Sequence, residues 1–136
     1  MKLIDAINEA DNLKPNMYEL PEKIKWLSRL DQRIFEEVLL MHELSDEEKE
    51  PFMVEIDGKR IFSFCVYNEN DQEKELIVQE PYDEMYVHWL CAQIDWNNRE
   101  YAGFNATNAV FEATYTAFRN AFNRTHMPKG GRKIYY

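Results

Sequence analysis

The most suggestive chemical grouping in the chain is a set of four possible metal ligands on one predicted helix. Spacings of four, three and four residues place them on one helix face, and each side chain type binds metals: Glu84, His88, Cys91 and Asp95. A helix rises about 1.5 Å per residue, so the first and last of these positions lie about 16 Å apart. One ion cannot reach across that distance. We therefore interpret the set as a polar helix edge with Cys91 as a small buried residue, and we predict no metal site.

Two pairs of acidic residues resemble the paired carboxylates that hold magnesium in all-α nucleotide pyrophosphatases. They are Glu47 with Glu50, and Glu80 with Asp83. Such ligands must project from the interior of a helix, but Pro51 directly follows the first pair and a second proline splits the other. We interpret both pairs as solvated acids in connecting segments.

The remaining groups that could take part in catalysis lack the partners that catalysis needs. His42 and His126 lie near predicted helix ends, where an imidazole often caps carbonyl groups, and neither has a visible acid and nucleophile. The run Lys129-Gly130-Gly131 lacks the spacing of a phosphate-binding loop. The sequence therefore predicts a protein that is not an enzyme, with no catalytic residue, no cofactor and no metal.

The strongest structural pattern lies in the C-terminal third of the chain. Large side chains recur at spacings of three and four, with Asn108 in the one remaining slot, and a second stripe consists of alanine. The large residues are Tyr101, Phe104, Phe111, Tyr115, Phe118 and Phe122, and the alanines are Ala102, Ala106, Ala109, Ala113, Ala117 and Ala121. This pattern predicts a helix that packs along its whole length and serves for docking.

The other elements predict a mainly α fold, a helical bundle with a long C-terminal antiparallel helix pair. A short helix over 2–12 precedes a second over 21–43, and Pro81 opens a third that breaks at Asn97-Asn98. The second helix has a predicted buried stripe at Ile24, Leu27, Leu30, Ile34, Val38 and Met41. For the core between the last two helices and the second, we predict Trp89, Leu90, Ile94, Phe111, Tyr115 and Phe118.

A small β insertion at about 52–79 interrupts the helices. Two strand-like runs, 52–56 and 60–67, flank Asp57-Gly58, a dipeptide that favours a type I′ hairpin turn. A third short strand is predicted over 75–79, which completes a small meander that we expect to contact partners. The predicted organisation is one helical domain over 1–126, followed by a flexible basic tail over 127–136.

The charge of the chain is divided unevenly. The net charge is −9, and residues 123–136 hold four basic residues and no acid, so residues 1–122 carry −13. An acidic body argues against specific nucleic-acid recognition, because affinity for phosphates comes from Lys and Arg. The sequence shows neither a signal peptide nor a run of about 18 apolar residues, so we expect no membrane contact, a cytoplasmic location and no disulfide between Cys65 and Cys91.

Three stretches carry a resemblance to a known family. They are PEKIKWLSRLDQRIFEEV at 21–38, EPYDEMYVHWLCAQIDWNNREYAGFN at 80–105 and FEATYTAFRNAFNRTHMPKGG at 111–131. Over about residues 1–131, the chain resembles the head–tail connector (head-completion adaptor) proteins of long-tailed phages and prophages of Gram-positive bacteria in its sequence pattern and in the order of its elements. Members of that family have an α-helical bundle with an added β element.

The resemblance implies a virion structural protein in the neck of the particle, assembled in the cytoplasm of the bacterial host. It implies a ring of copies beneath the portal protein, in contact also with the next neck or tail-joining protein. Terminal segments of such proteins reach the portal, and here that role falls to the basic tail: Arg124, Lys129, Arg132, Lys133, Tyr135 and Tyr136. The alternative is a small cytoplasmic helical binding or regulatory protein that dimerises through its C-terminal helix.

Overall fold

The fold is mainly α-helical, as the sequence predicts, with one small antiparallel hairpin between the helices. A computed structural model describes residues 1–129. The α-helices are α1 (Leu3–Leu13), α2 (Leu20–Ile34), α3 (Asp46–Lys49), α4 (Met85–Asn97) and α5 (Tyr101–Thr125). The strands are β1 (Met53–Ile56) and β2 (Lys59–Phe62). Short turns of other helix types lie at Phe35–Leu39, which is π-helical, and at Glu50–Phe52 and Glu69–Asp71, which are 3₁₀.

Helices α4 and α5 form the predicted antiparallel pair. The chain reverses at Arg99, which has a positive φ of 62°, and the N–H of Glu100 donates to the carbonyl of Asp95. Aromatic pairs follow the antiparallel order, two of them between α4 and α5 and the third from Tyr82, just before α4. Their ring centroids are 5.0 to 6.2 Å apart: Trp96–Phe104, Trp89–Phe111 and Tyr82–Phe118. These pairs use the seam of large residues that the spacing of α5 revealed.

Helix α4 is the centre of the bundle, because it contacts α1, α2 and α5. Five of the six predicted core residues are buried: Leu90, Ile94, Phe111, Tyr115 and Phe118. Trp89 is half-buried, and its indole N–H donates to the carbonyl of Trp26 at 2.9 Å. The ring of Tyr115 stacks on Phe111, lies under the guanidinium of Arg33 and donates its hydroxyl to Glu37.

The second helix differs from its prediction in length and register. Regular α2 ends at Ile34, and the next five residues form a wide π-helical turn instead of continuing to Glu43. A π turn advances the chain by more residues than an α turn, so the face that points inward changes. Phe35 and Leu39 are therefore buried, whereas Met41, predicted in the buried stripe, is 60% exposed.

Two further boundaries were predicted wrongly. Among residues 1–129 the only ladder pairs β1 with β2, and the predicted third strand over 75–79 makes just an isolated bridge, Lys2 with Glu75. That segment bonds instead to the chain start and to buried side chains, so it needs no neighbouring strand. The third long helix begins at Met85, not at Pro81, after a run of turns.

The hairpin forms where Asp57-Gly58 predicts it. Val54 pairs with Ile61 in an antiparallel register, and Asp57 and Gly58 have φ values of 53° and 78°, as a type I′ turn requires. The rings of Phe52, Phe62 and Phe64 pack on Phe35 with centroids 4.8 to 6.1 Å apart. The π-helical turn thus supplies the aromatic residue that fixes the hairpin to the bundle.

Replacing Phe111 by Ala should lower the free energy of unfolding by about 3 to 5 kcal/mol, because it empties a fully buried site against Trp89 of α4 and Tyr115. Urea denaturation measures the change. Val110→Ala, on the exposed side of the same helix, serves as the control and should cost less than about 0.5 kcal/mol. A loss below about 1 kcal/mol for Phe111→Ala would contradict the core position.

Replacing Gly58 by Val should destabilise the hairpin by about 1 to 2 kcal/mol, because a β-branched side chain is strained at positive φ. No atom lies within 4 Å of the position that a Cβ would occupy, so steric contact plays no part. Gly58→Asn is the matched control, since Asn tolerates this conformation. Amide hydrogen exchange in β1 and β2 should rise for Val only, and equal exchange in both variants would refute the turn assignment.

Candidate partner-binding groove

Residues 1–129 contain an apolar groove of about 610 Å³. One wall is the hairpin side, the second is the C-terminal half of α5, and the third is the segment 74–82. Its apolar lining consists mainly of Leu39, Leu44, Phe52, Val54, Phe64, Leu76, Ile77, Tyr82, Phe118 and Phe122. Concave apolar surfaces of this size are the usual form of binding sites.

The floor of the groove is held by a buried carboxylate on α2. Asp31, which is fully buried, accepts the hydroxyl of Tyr67, the hydroxyl of Tyr86 at 2.6 Å and the backbone N–H of Ile77 at 3.2 Å. The Tyr86 hydroxyl in turn accepts the N–H of Val78 at 2.8 Å. Because Tyr67 and Ile77 also line the groove, this one side chain fixes two parts of its wall that belong to no helix or strand.

Burial shifts the pKa of this carboxyl group. Desolvation raises the pKa of Asp31 to about 6, although the hydrogen bonds from Tyr67, Tyr86 and Ile77 favour the ionised form and oppose the rise. The same burial, together with the adjacent carboxylate, raises the pKa of both tyrosines well above the usual value. Both hydroxyls therefore stay protonated and donate to Asp31 throughout the physiological range.

Two histidines fasten α5 to the end of the second helix at one end of the groove. The His126 ring stacks on Phe122 with centroids 3.9 Å apart, and its Nε2 lies 2.5 Å from a carboxylate oxygen of Glu48. His42 Nδ1 lies 2.6 Å from the carbonyl of Val38, so it caps the π-helical turn, and its Nε2 lies 2.7 Å from Asn123. The backbone N–H of Ser45, and next the contact with His126, lower the pKa of Glu48.

The rim of the groove is mainly acidic. Four glutamates line it against a single lysine, Lys74. Glu75 pairs with the N-terminal ammonium group at 3.0 Å, and Glu48 is engaged by His126. Glu47 and Glu80 make no ion pair within residues 1–129. The groove therefore combines an apolar interior with negative charge at its edge, which suits an occupant that carries both apolar and cationic side chains.

The predicted tail residues divide into two groups. Arg124 and Lys129 are exposed within the described chain, whereas Arg132, Lys133, Tyr135 and Tyr136 lie outside the described residues. The first three residues of the predicted tail, Met127 to Lys129, run antiparallel to 41–43, with two backbone hydrogen bonds of 2.8 Å and a bridge between His42 and Pro128. The boundary expected at 126 therefore does not separate these three residues from the helical domain.

The two stripes of α5 have opposite environments. The centre of the aromatic seam is buried, whereas five of the six alanines are exposed: Ala102, Ala106, Ala109, Ala113 and Ala117. Phe111 and Ala113 are two positions apart, which is about 200° around a helix. The outer face of a 25-residue helix thus carries small side chains along most of its length.

Among the four candidate metal ligands, Asp95 has structural contacts of its own. Within residues 1–129, no group of three or more His, Cys, Asp or Glu side chains could hold an ion. Asp95 is buried and accepts the hydroxyl of Thr107, with Lys14 Nζ 3.1 Å away, and a Cβ at Gly103 would lie only 3.3 Å from it. The carboxylate thus joins α1, α4 and α5, a structural role that its position on α4 did not reveal.

In each of the two acid pairs, the two carboxylates have different environments. Glu50 accepts two hydrogen bonds from Arg60 at 2.8 and 2.9 Å, while Glu47 lines the groove. Asp83 is buried near the N-terminal ammonium group, and Glu80 lies on the groove rim.

Asp31 was missed by reasoning from the sequence, although one signal was present. It lies four positions after Leu27 and three before Ile34, inside the apolar stripe of α2. A single acid on a face that must be buried indicates a paired or hydrogen-bonded carboxylate. Its tyrosine partners are 36 and 55 residues away, and no local pattern connects them.

Comparison with other proteins adds no assignment. The chain matches no protein-family model, no curated protein and no solved structure. None of the helices in residues 1–129 combines the length and the apolar character that crossing a membrane requires.

The raised pKa of Asp31 makes stability depend on pH in a defined direction. The folded value of about 6 lies above the unfolded value of 3.8, so the native state binds the proton more tightly and loses stability as pH rises through 6. Between pH 5 and pH 7 the free energy of unfolding should fall by roughly 1.3 kcal/mol from this group.

The measurement is urea denaturation at both pH values. Asp31→Asn should remove this difference, whatever its effect on absolute stability, while Asp5→Asn, an exposed position on α1, should keep it. An unchanged pH dependence in Asp31→Asn would show that this carboxyl is not the titrating group.

Proposed function

We propose that this protein is a structural adaptor of the head–tail connector class, which assembles as a ring beneath a phage portal and joins the DNA-filled head to the tail. The observation that carries the proposal is the outer face of α5, where exposed alanines follow a helix about 37 Å long. The resemblance of residues 1–131 to that family supports it. Small side chains allow a neighbouring backbone to approach closely, as lateral packing of identical subunits requires.

The groove supplies a second, separate surface. It lies beside the hairpin and the C-terminal half of α5, whereas the alanine face points away from the α4 side of the same helix. A ring subunit needs contacts to its lateral neighbours and contacts along the axis to the portal and to the next neck protein. We assign the lateral contacts to the alanine face and the axial ones to the groove and the basic C-terminal segment.

The charge distribution is consistent with such a position. Residues 1–122 carry a net charge of −13, which repels phosphates and would let DNA pass through a channel without being held. The basic residues of the C-terminal segment suit an acidic surface on the portal. Assembly would take place in the host cytoplasm, and the neck of the virion would be the final location.

A second candidate uses the same face of α5 differently. A small regulatory protein could dimerise through the alanine stripe, with one copy laid against another. The two candidates differ in the size of the assembly, because a ring requires portal-dependent assembly into many copies and a dimer forms without any partner.

The lateral surface is tested by adding charge to it. Ala109→Glu combined with Ala113→Glu should leave the melting temperature nearly unchanged, because both positions are exposed, but should abolish assembly on portal-containing heads. Asn8→Glu combined with Asn12→Glu adds the same charges at the same spacing on the exposed face of α1 and is the control.

Assembly is measured by co-sedimentation with heads and by light scattering of the free protein. A constitutive dimer that ignores heads would overturn the connector proposal. Normal assembly of the double Ala→Glu variant would refute the assignment of the lateral surface.

The axial contact is tested by removing residues 130–136, which leaves the backbone bonds of Met127 and Lys129 in place. The truncated protein should keep its fold and lose most of its attachment to portal-containing heads, and the attachment of the full chain should weaken as salt rises. Equal retention of both chains on heads at low and at high salt would contradict a role for the C-terminal segment.

A further inference from the structure

We propose that the groove binds an extended, cationic segment of another protein, which pairs as a strand with residues 63–66. The groove has an apolar interior and an acidic rim, and residues 63–65 form part of its lining. As an account of assembly, this inference rests on the axial role proposed for the groove. The binding chemistry itself is carried by the backbone, the side chains and the charges of residues 1–129.

Residues 63–66 continue strand β2 without a partner strand. The N–H of Ser63 still donates to the carbonyl of Phe52 at 2.8 Å, just beyond the paired residues of the hairpin. Within residues 1–129, the N–H groups of 64–66 have no acceptor and the carbonyls of 63–66 have no donor. Unpaired backbone groups that extend an edge strand are a template for pairing with another chain.

The same segment is exposed in its middle but fixed at both ends. Cys65 and Val66 are exposed, Val66 by 62% of its surface. At the far end, the ring of Phe64 packs edge to face on Tyr67 with centroids 5.3 Å apart, and the Tyr67 N–H donates to Ser28 Oγ at 3.1 Å. An incoming strand therefore meets a segment that is already in place, so binding does not have to order it.

The rim of the groove determines which side chains the incoming segment must carry. Glu47 and Glu80 make no ion pair within residues 1–129, and Lys74, the lysine of the described lining, lies over the Tyr67 ring at 5.6 Å. Lysine or arginine on the partner can pair with these two carboxylates, whereas an acidic segment would meet negative charge. Apolar side chains at alternate positions can enter the interior.

An extended occupant fits these observations better than a helical one. A helix uses its backbone groups internally, so it would cover the N–H and carbonyl groups of 63–66 and leave them without partners. A strand supplies the missing donors and acceptors, while its alternate side chains point toward the groove and away from it. We therefore assign the groove to an extended segment in which apolar and basic residues alternate.

The rim is tested with a fluorescent octapeptide that alternates lysine with valine, titrated with the full-length protein and followed by anisotropy. Glu47→Gln combined with Glu80→Gln should weaken binding at least about four-fold, because two carboxylates that face the lysines are lost. Glu22→Gln combined with Glu36→Gln is the control, since it removes the same charge from exposed positions outside the groove lining. It should change the Kd by less than about two-fold.

The backbone pairing is tested separately from the charges. The same octapeptide with every backbone nitrogen methylated keeps its side chains and its charge but cannot donate, and it should bind at least about ten-fold more weakly. In the protein, saturation with the unmethylated peptide should slow amide hydrogen exchange at 64–66 at least about ten-fold. The amide of Gly58, in the exposed hairpin turn, is the control and should exchange at an unchanged rate.

Several results would overturn the proposal. One is the absence of binding at protein concentrations up to about 0.5 mM, and another is bound peptide that leaves exchange at 64–66 unchanged. Slow exchange at 64–66 in the free protein would also overturn it, because the segment would then be paired already. If that protection grew with protein concentration, a second copy would be the occupant.

None of these measurements uses phage heads, so the groove and the connector assignment can fail independently. A peptide that binds and protects 64–66, in a protein that ignores portal-containing heads, would support the strand site and contradict the connector proposal. Assembly on heads by a protein that does not bind the peptide would contradict the strand site alone. Circular dichroism of each variant verifies that its fold is intact.

Discussion

The structure depends on how the Asp31 carboxylate is satisfied inside the bundle. A buried charge is costly unless hydrogen bonds replace its hydration, and here two tyrosine hydroxyls and one backbone N–H do so. Two of those donors, Tyr67 and Ile77, lie in segments that lack regular structure, and the third, Tyr86, lies in α4. Their hydrogen bonds to the carboxylate fix these segments in place, and the segments form the floor of the groove. The cost of burial remains visible in the raised pKa of Asp31.

A second constraint follows from the π-helical turn at Phe35–Leu39. It rotates the end of the second helix so that Phe35 points toward the hairpin and receives three phenylalanine rings. Glu37, in the same turn, accepts the hydroxyl of Tyr115, which burial and this carboxylate give a raised pKa of about 12. The turn therefore connects the hairpin on one side with α5 on the other, and the groove lies between them.

The sequence predicted correctly those features that depend on interactions between residues close in the chain. The spacing of large residues in α5, the break at Asn97-Asn98 and the Asp57-Gly58 turn depend on residues close in sequence, and the structure confirms all three. The errors arose where distant groups decide the outcome. Segment 75–79 has a strand-like composition, but Asp31 and Tyr86 take its N–H groups. Met41 fits the helical stripe, but the π turn rotates it outward. The groove is likewise assembled from parts far apart in sequence.

The most direct test of this account is site-resolved hydrogen exchange at two amides, Ile77 and Val78. Both belong to a segment without helix or strand, yet their N–H groups donate to Asp31 and to the Tyr86 hydroxyl. If the buried carboxylate holds the groove floor, both amides should exchange as slowly as the amides in the core of α4. Exchange at the rate of exposed turns such as 69–71 would contradict the account, because the floor would then open without any disruption of the bundle.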